Sequence, residues 1–220
     1  MNITYYPFDP IEVQQNNLNV IDIGVPNIFA DFIASFLGVS DNLKVSNNKL
    51  EIMGIGQAFL YIGDLFESDL NRIFQKYVKN TILSSISDSE VVNLLDTGRQ
   101  LVEKTVEATF ALDLPLLGKD IDLNKVLKFA DIHLDESFIA KPCGKIETLV
   151  KLMSELEMKK IPVVANASHY LIPSEIDEVS ELVTQIDSSI LFIEFSEISR
   201  FDRFKNVKYT FIDQDFTLWS

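Results

Sequence analysis

The stretch from residue 145 to residue 196 constrains the fold of this chain more than any other part of its sequence. Its apolar residues recur at helical spacing over residues 146–156 and then form a short continuous run over residues 161–167. The same order repeats, with a helical stripe over residues 176–186 and an apolar run over residues 190–195. Two apolar strands that are joined by an amphipathic helix need a crossover connection, so they lie parallel in a sheet covered by helices. The stretch therefore predicts an α/β fold with a mostly parallel sheet.

Two short patterns predict where helices begin, and a third describes the end of the chain. Ser174 with Asp177, and Ser87 with Glu90, have the spacing of a capping box, in which a hydroxyl and a carboxylate bind the free amides of a first turn. The segment from residue 200 to residue 220 alternates aromatic and charged residues. This alternation favours edge strands at the end of the chain.

The type of predicted secondary structure changes twice along the chain. Residues 1–63 contain short predicted strands and one helix, whereas residues 64–135 carry long helical stripes. The α/β pattern then resumes over residues 136–220. We therefore expect a discontinuous α/β head domain formed by the first and third segments, with the second segment inserted as an α-helical leg subdomain.

Composition limits the class of protein and its compartment. The 220 residues include 33 acidic and 19 basic side chains, which give a formal net charge of -14 and argue against indiscriminate binding to nucleic acid. Cys143 is the single cysteine, so no internal disulfide can form, and this fits a reducing cytosol. The first residues do not have the pattern of a signal peptide, and no apolar run is long enough to span a membrane. We expect a soluble, cytoplasmic protein with no membrane contact.

The sequence lacks the phosphate-binding loop that an α/β nucleotide hydrolase requires. Its two Gly-Lys pairs, at Gly118-Lys119 and Gly144-Lys145, have neither the upstream glycine nor the following hydroxyl of that loop. Asn166 ends an apolar run at a point where an ATPase usually carries an aspartate that holds magnesium. We therefore expect no nucleotide cofactor and no hydrolysis of adenine nucleotides.

One enzymatic alternative remains open on the residues alone. His169 follows the apolar run of residues 161–167, where α/β proteins often place ligand-binding loops. Together with Glu194, it would supply the reactive pair of an enzyme of unknown type. An exposed loop histidine with no catalytic role is the simpler interpretation of the same residue.

Acidic residues in the break between two predicted helices suggest a metal. These residues are Asp113, Asp120 and Asp122. Oxygen ligands on a loop suit Ca²⁺, which accepts six to eight of them in a loose geometry. The spacing is not that of an EF-hand, so a solvated acidic loop is the alternative to a structural calcium site.

Basic residues are unevenly distributed along the chain. They gather near the third predicted helix of the leg and around the helix that precedes the run of residues 161–167; the candidates for phosphate contact are Lys125, Lys128, Lys145, Lys151 and Lys159. Repeated in a symmetric oligomer, such groups could form a continuous positive track. Base-reading motifs are absent, so contact with DNA would be to its backbone and insensitive to sequence. Taken singly, each of these lysines is more often a solvated residue on a helix surface.

Three segments carry a resemblance to a known family. They are residues 151–175 (KLMSELEMKKIPVVANASHYLIPSE), residues 190–197 (ILFIEFSE) and residues 59–71 (FLYIGDLFESDLN). In the first, a double lysine leads into an apolar strand that ends in Asn, and in the second a strand ends in Glu. In these features, and in the order of its parts, the chain resembles the CRISPR-associated Csn2 family, whose members take part in spacer acquisition in type II-A systems.

The resemblance implies a specific function. It implies an α/β head that looks like a degenerate P-loop-type fold, a helical leg and no catalytic activity. It further implies a ring-shaped homotetramer that holds the ends of double-stranded DNA in a positively charged hole. Calcium would stabilise the ring, with Asp113, Asp120 and Asp122 as ligands, and the partners would be the integrase and effector nuclease of the same CRISPR system. The role would be adaptive antiviral defence.

A protein-only scaffold is the second interpretation of the sequence. In that case the aromatic segment of residues 200–220 would be a docking surface, and the chain would form oligomers indifferent to DNA and calcium. The enzyme based on His169 and Glu194 stays a distant third.

Overall fold

The computed structural model describes residues 1–220 and contains ten strands and eight α-helices. The strands are β1 (Asn2–Tyr5), β2 (Ile11–Glu12), β3 (Leu18–Ile23), β4 (Leu43–Ser46), β5 (Ile52–Met53), β6 (Phe59–Asp64), β7 (Ile161–Ala165), β8 (Ile190–Phe195), β9 (Lys208–Ile212) and β10 (Leu218–Trp219). The helices are α1 (Pro26–Phe36), α2 (Ile55–Ala58), α3 (Leu70–Ser85), α4 (Asp88–Glu107), α5 (Leu123–Ala130), α6 (Glu136–Ile139), α7 (Pro142–Glu155) and α8 (Pro173–Gln185). None of these helices combines the length and the apolar character that a membrane span requires.

The chain divides into two compact units. One is formed by Met1–Asp69 together with Asp135–Ser220, and it contains every strand. The other is Leu70–Leu134, which contains α3, α4 and α5. We call them the α/β unit and the helical unit.

A six-stranded sheet with the order β10-β9-β3-β8-β7-β6 organises the α/β unit. Its strand pairs are parallel except for the pairing of β10 with β9. All residues of β3 are buried, and so are all residues of β8 but the last, which explains why both strands have nearly continuous apolar sequences. The prediction of an α/β fold with a mostly parallel sheet is confirmed.

The sheet is covered on both faces. On one face, apolar residues such as Ile21 and Ile193 pack with α1 and with a second, antiparallel sheet of order β2-β1-β4-β5. The opposite face is covered by α7 and α8, whose buried side chains include Ile146, Leu149 and Val179. Side chains alternate between the two faces along a strand. Since the odd-numbered Ile21 and Ile193 face α1, the even-numbered residues of β3 and β8 face α7 and α8.

One of the two predicted capping boxes is right and the other is wrong. Ser87 caps α4, because its hydroxyl accepts from the Glu90 amide while the Glu90 carboxylate accepts from the Ser87 amide at 2.9 Å. Helix α8 instead begins at Pro173, and the Glu175 carboxylate accepts from the Ile172 amide at 2.8 Å. Proline sets the helix start here because its fixed backbone angle suits the first helical position, where no amide donor is needed.

The expectation of edge strands at the end of the chain is only half right. Strand β9 pairs in parallel with β3 on one side and with β10 on the other, so it lies inside the sheet. Only β10, a strand of two residues, is at the edge. The aromatic side chains Tyr209 and Phe211 on β9 are correspondingly buried, whereas Trp219 on β10 is exposed.

Close packing of two helices organises the helical unit. Gly98 is the buried residue of α4, and a side chain there would meet Ile121 at 3.0 Å and Val126 at 3.4 Å. The absence of a Cβ therefore lets the backbone of α4 approach the segment that leads into α5. Asp122 starts α5, since its carboxylate accepts from the Lys125 amide at 2.9 Å.

Candidate functional site

Two carboxylates lie side by side at the carboxyl end of the parallel strands. Asp22 on β3 is the register partner of Glu194 on β8, and both side chains are fully buried. This edge of an α/β sheet is where ligands usually bind. Two buried negative charges are unstable unless a cation accompanies them.

The chain supplies that cation from its own Arg200. The guanidinium donates from Nε to Asp22 Oδ2 at 2.9 Å and from Nη2 to Asp22 Oδ1 at 3.0 Å. It also lies 3.3 Å from Glu194 Oε2, and its side chain is only 17% exposed. A two-point contact between a planar guanidinium and a carboxylate fixes orientation as well as charge. Arg200 therefore occupies the position that a bound cation would take.

Polar groups from two further segments complete this cluster. The Ser168 hydroxyl donates to Glu194 Oε2 at 2.5 Å, and the Ser168 amide donates to Glu194 Oε1 at 2.9 Å. The Tyr209 hydroxyl donates to Asp22 Oδ2 at 2.9 Å and accepts from the Arg200 amide at 2.8 Å. Every carboxylate oxygen of Asp22 and Glu194 thus has a donor within the same unit.

Burial and charge pairing oppose each other in setting the pKa values of Glu194 and Arg200. Burial raises the pKa of Glu194, and the nearby Asp22 charge acts in the same direction, although the Ser168 hydrogen bonds and the Arg200 charge oppose it. Burial by itself would lower the pKa of Arg200, but the hydrogen bond and charge of Asp22, with the charge of Glu194, raise it. Burial also raises the pKa of Tyr209 to about 12, so its hydroxyl remains a donor at neutral pH.

The connection from β3 to α1 is too tight to wrap a phosphate. Only Gly24 and Val25 separate the strand from the helix. The Gly24 amide donates to the Ile212 carbonyl oxygen at 2.7 Å, and a Cβ at Gly24 would lie 3.1 Å from that oxygen. The backbone donor that a phosphate loop would offer is thus already used inside the sheet.

The lysines predicted to contact phosphate are in different environments. Lys145 is partly buried, its ammonium donates to the carbonyl oxygens of Leu65 and Ser68, and burial lowers its pKa. Lys145 thus has a structural role, because it links these two carbonyl oxygens. Lys125 lies 3.8 Å from Asp122, and Lys151 lies 3.8 Å from Glu147.

Lys128 and Lys159 remain exposed with no ion pair. Lys128 lines a groove of about 490 Å³ in the helical unit, between α3 and α5. Lys76 and Lys79 of α3 line the same groove, and neither of them has an ion pair. Three lysine side chains with no ion pair therefore line one groove, together with one carboxylate, Asp131, and two of the lysines were missed by the sequence analysis.

The three predicted calcium ligands do not converge. Asp120 accepts from the Ile121 amide at 3.0 Å and lies 3.6 Å from Arg99, while Asp122 caps α5. Asp113 follows a short 3-10 helix in a left-handed conformation, with φ of 41°. Their oxygens are of the right kind for Ca²⁺, but within one chain these carboxylates do not form a calcium site.

The fold brings together a different set of potential metal ligands. Cys143 and Glu147 on α7 and Glu178 on α8 place their ligand atoms within 4.8 Å of one another. Burial, together with the charge of Glu147, raises the pKa of the Cys143 thiol to about 12. The thiol therefore keeps its proton, and the environment disfavours the thiolate that metal binding or nucleophilic chemistry requires.

His169 and Glu194, the pair of the enzymatic alternative, do not interact in the fold. His169 is exposed and makes no side-chain hydrogen bond, whereas both oxygens of Glu194 accept from Ser168 and Glu194 is fully buried. No hydrogen bond or ion pair connects His169 with Glu194, so the fold does not present them as an acid–base pair.

Sequence reasoning found Glu194 but missed its partners Asp22, Arg200, Ser168 and Tyr209. One signal was available. Each of the two most apolar strands, LNVIDI and ILFIEF, contains one carboxylate near its end, and a carboxylate in a buried strand needs a cation. That signal identifies the need for a cation, but it does not say which basic residue supplies it.

The fold and the site together define a class of protein. It is an α/β protein whose mostly parallel sheet carries a helical unit between β6 and β7, and in which the edge where such sheets usually bind ligands is filled by the chain's own arginine. The chain belongs to the family of CRISPR-associated proteins described as Cas_Csn2, whose family model matches residues 37–216. A CRISPR-associated role follows from this membership.

Comparison with solved structures agrees with the fold. The crystal structure of Stu0660 of Streptococcus thermophilus is similar with a TM-score of 0.55 and 12% sequence identity, over 97% of this chain and 74% of that one. A nucleotide-free ATP-binding cassette from an ABC transporter aligns over 96% of this chain and 85% of that one, at 13% identity. Its TM-score of 0.38 is too low to indicate a shared fold. A search of curated protein sequences gave no match.

Proposed function

We propose that the protein is a non-catalytic, sequence-independent binder of double-stranded DNA ends that assembles as a ring-shaped homotetramer during CRISPR spacer acquisition. Its partners in this proposal are the integrase and the effector nuclease of the same system. The family membership supports the CRISPR context, and the groove lined by Lys76, Lys79 and Lys128 supports the contact with phosphates.

The distribution of charge carries the proposal. The helical unit, Leu70–Leu134, has eight Lys and Arg against nine Asp and Glu. The rest of the chain has 11 against 24, so the net charge is -13 in the α/β unit and -1 in the helical unit. A duplex carries one negative charge per about 1.7 Å of its axis, so it is attracted to unpaired lysines and repelled by acidic surfaces. The helical unit is therefore the part of the chain that we expect to contact DNA.

The buried cluster supports the non-catalytic part of the proposal. Arg200 holds Asp22 and Glu194 at the sheet edge, and Gly24 uses its amide inside the sheet. Both features replace groups that a nucleotide hydrolase presents to phosphate and magnesium. In our proposal this edge stabilises the α/β unit and takes no part in chemistry.

Binding to linear and circular DNA tests the proposal directly. We expect the protein to shift a blunt linear duplex in electrophoresis at low salt, to release it at high salt, and to bind a covalently closed circle of the same sequence much more weakly. Binding to the circle as strong as to the linear duplex would remove the preference for ends. No binding at any salt concentration, with calcium present, would favour the protein-only scaffold instead.

The mass of the protein in solution tests the ring. We expect a tetramer by light scattering, and a monomer under all conditions would contradict the assembly.

Calcium is also part of this proposal, as an ion shared between chains, because Asp113, Asp120 and Asp122 do not meet within one chain. Removal of calcium by a chelator should then lower the mass, whereas an unchanged tetramer would exclude calcium from the assembly.

A further inference from the structure

An aromatic pocket lies at the last two strands of the α/β unit. It has a volume of about 380 Å³ and is lined by Ser199, Phe201, Tyr209, Phe211, Trp219 and Ser220. Tyr209 and Phe211 are two positions apart on β9, so they share one face of the strand and form a buried floor. Phe201 and Trp219 are 62% and 60% exposed, so they form open walls.

Two of these rings donate their polar hydrogen to a carboxylate. The Tyr209 hydroxyl donates to Asp22 Oδ2 at 2.9 Å, and Trp219 Nε1 donates to Asp213 Oδ2 at 2.7 Å. Hydrogen bonds polarise the groups that make them, and here the polarisation moves electron density into the rings. At Tyr209 the hydrogen bond that its hydroxyl accepts from the Arg200 amide opposes this effect. The face of Trp219, which only donates, is therefore more negative than that of an unbonded ring, and this property attracts a cation.

A carboxylate adjoins the pocket at Trp219. The hydrogen bond from Trp219, with those from the Thr217 and Asp215 amides, lowers the pKa of Asp213, although burial opposes this shift. Asp213 is therefore ionised at neutral pH, and Asp215 is two residues away in the same turn. No lysine or arginine lines the pocket. The Arg200 guanidinium, which is close in sequence, is committed to Asp22 and Glu194.

We infer that this aromatic pocket binds the cationic side chain of an arginine or lysine in a basic segment of a partner protein. An aromatic pocket with the Asp213 carboxylate beside its tryptophan is complementary to such a side chain, because the rings contact its alkyl stem and attract its charge. Nucleic acid fits less well, since its phosphates would approach Asp213. The inference is independent of DNA binding by the helical unit, so either can fail without the other.

Trp219 makes the inference directly measurable, because it is the one tryptophan in the chain. The probe is a seven-residue peptide with a central arginine, titrated into the full-length protein while tryptophan fluorescence is recorded. The matched peptide replaces arginine by citrulline, which has the same shape without the charge. We expect a saturable change with the arginine peptide and at least tenfold weaker binding of the citrulline peptide.

Two variants locate the binding. Phe201→Ala removes one wall at an exposed position, and we expect it to weaken binding of the arginine peptide at least fivefold. Phe216→Ala is the matched control, because Phe216 is 57% exposed in the same part of the chain but does not line the pocket. It should leave the affinity unchanged, and equal affinities of both variants and the wild type would overturn the inference.

Other results would also overturn it. Equal binding of the arginine and citrulline peptides would show that the pocket does not recognise the positive charge. A saturable response to thymidine monophosphate, with none to the arginine peptide, would identify a nucleic-acid site instead. If the arginine peptide gave no saturable response up to millimolar concentration, the pocket would not bind the proposed side chain.

Discussion

Arg200 donates two hydrogen bonds to Asp22, a residue 178 positions away in the sequence, at 2.9 and 3.0 Å. This contact joins the segment after β8 to the strand β3 at the carboxyl end of the parallel sheet. It fills the place where α/β proteins usually bind a ligand. Because Glu194 shares the same guanidinium, loss of Arg200 would leave two buried carboxylates without a cation.

Replacement of Arg200 should therefore destabilise the α/β unit strongly. We expect Arg200→Met to lower the free energy of unfolding by about 3–5 kcal/mol, the usual cost of removing one partner of a buried ion pair. Unfolding in urea, followed by circular dichroism and by Trp219 fluorescence, measures this change.

A surface ion pair in the same unit provides the control. Lys205 lies 3.0 Å from Asp202, with side chains that are 61% and 94% exposed. Lys205→Met should cost about 1 kcal/mol or less, because solvent screens such pairs. Similar losses for Arg200→Met and Lys205→Met would show that the buried cluster does not stabilise the fold.

Glu194 should make stability depend on pH. Burial raises its folded pKa above the usual 4.5, so the folded state binds its proton more tightly than the unfolded state does. The contribution of Glu194 to stability is therefore lost as pH rises from about 4.5 through the raised pKa. Glutamine cannot titrate, so the difference in unfolding free energy, Glu194→Gln minus wild type, should increase with pH. A difference that is constant or decreases between pH 4.5 and pH 8 would contradict this assignment.

Gly144 should not tolerate a side chain. A Cβ at this position in α7 would overlap the Phe138 carbonyl oxygen, and a backbone atom cannot move aside as a side chain can. We expect Gly144→Ala to lower the free energy of unfolding by more than about 1 kcal/mol, as overpacking does. Gly56→Ala is the matched control, since no atom lies within 4 Å of a Cβ there. It should be neutral or slightly stabilising in the same urea titration.

The lysines of the helical groove should determine how DNA binding responds to salt. Each phosphate contact contributes about 0.9 to the slope of log K against log salt concentration. Replacement of Lys76, Lys79 and Lys128 by alanine should thus reduce the slope by about 2–3 and weaken binding to all sequences equally. Fluorescence anisotropy of a labelled blunt duplex between low and physiological salt measures both effects.

The control for this experiment removes the same amount of charge elsewhere. Lys44, Lys49 and Lys104 are exposed and do not line the groove. Their combined replacement by alanine changes the net charge equally, so it should leave the slope nearly unchanged. If both triple variants behave alike, DNA responds to total charge and the groove is not the contact surface.

Much of the fold was predictable from the sequence because its signals are local. The apolar runs at residues 161–167 and 190–195 became β7 and β8, since a continuous apolar run of that length fits a strand buried on both faces. Ser87 was correctly predicted as a cap for the same reason, because its partner Glu90 is three residues away. The prediction at Ser174 failed because Pro173, one residue earlier, already fits the first turn of α8.

The site was much less predictable, because its contacts join distant segments. The spacing of lysines could not show that Lys145 turns inward to the carbonyl oxygens of Leu65 and Ser68. Nor could it bring Lys76 of α3 and Lys128 of α5 to one groove.

The sequence by itself determined the alternation of strands and helices and the presence of a carboxylate in each of two buried strands. Only the tertiary structure decided that Asp22 and Glu194 are neighbours and that Arg200 neutralises them. The physical reason is that hydrophobic periodicity acts over a few residues, whereas the pairing of buried charges depends on which strands become adjacent when the chain folds.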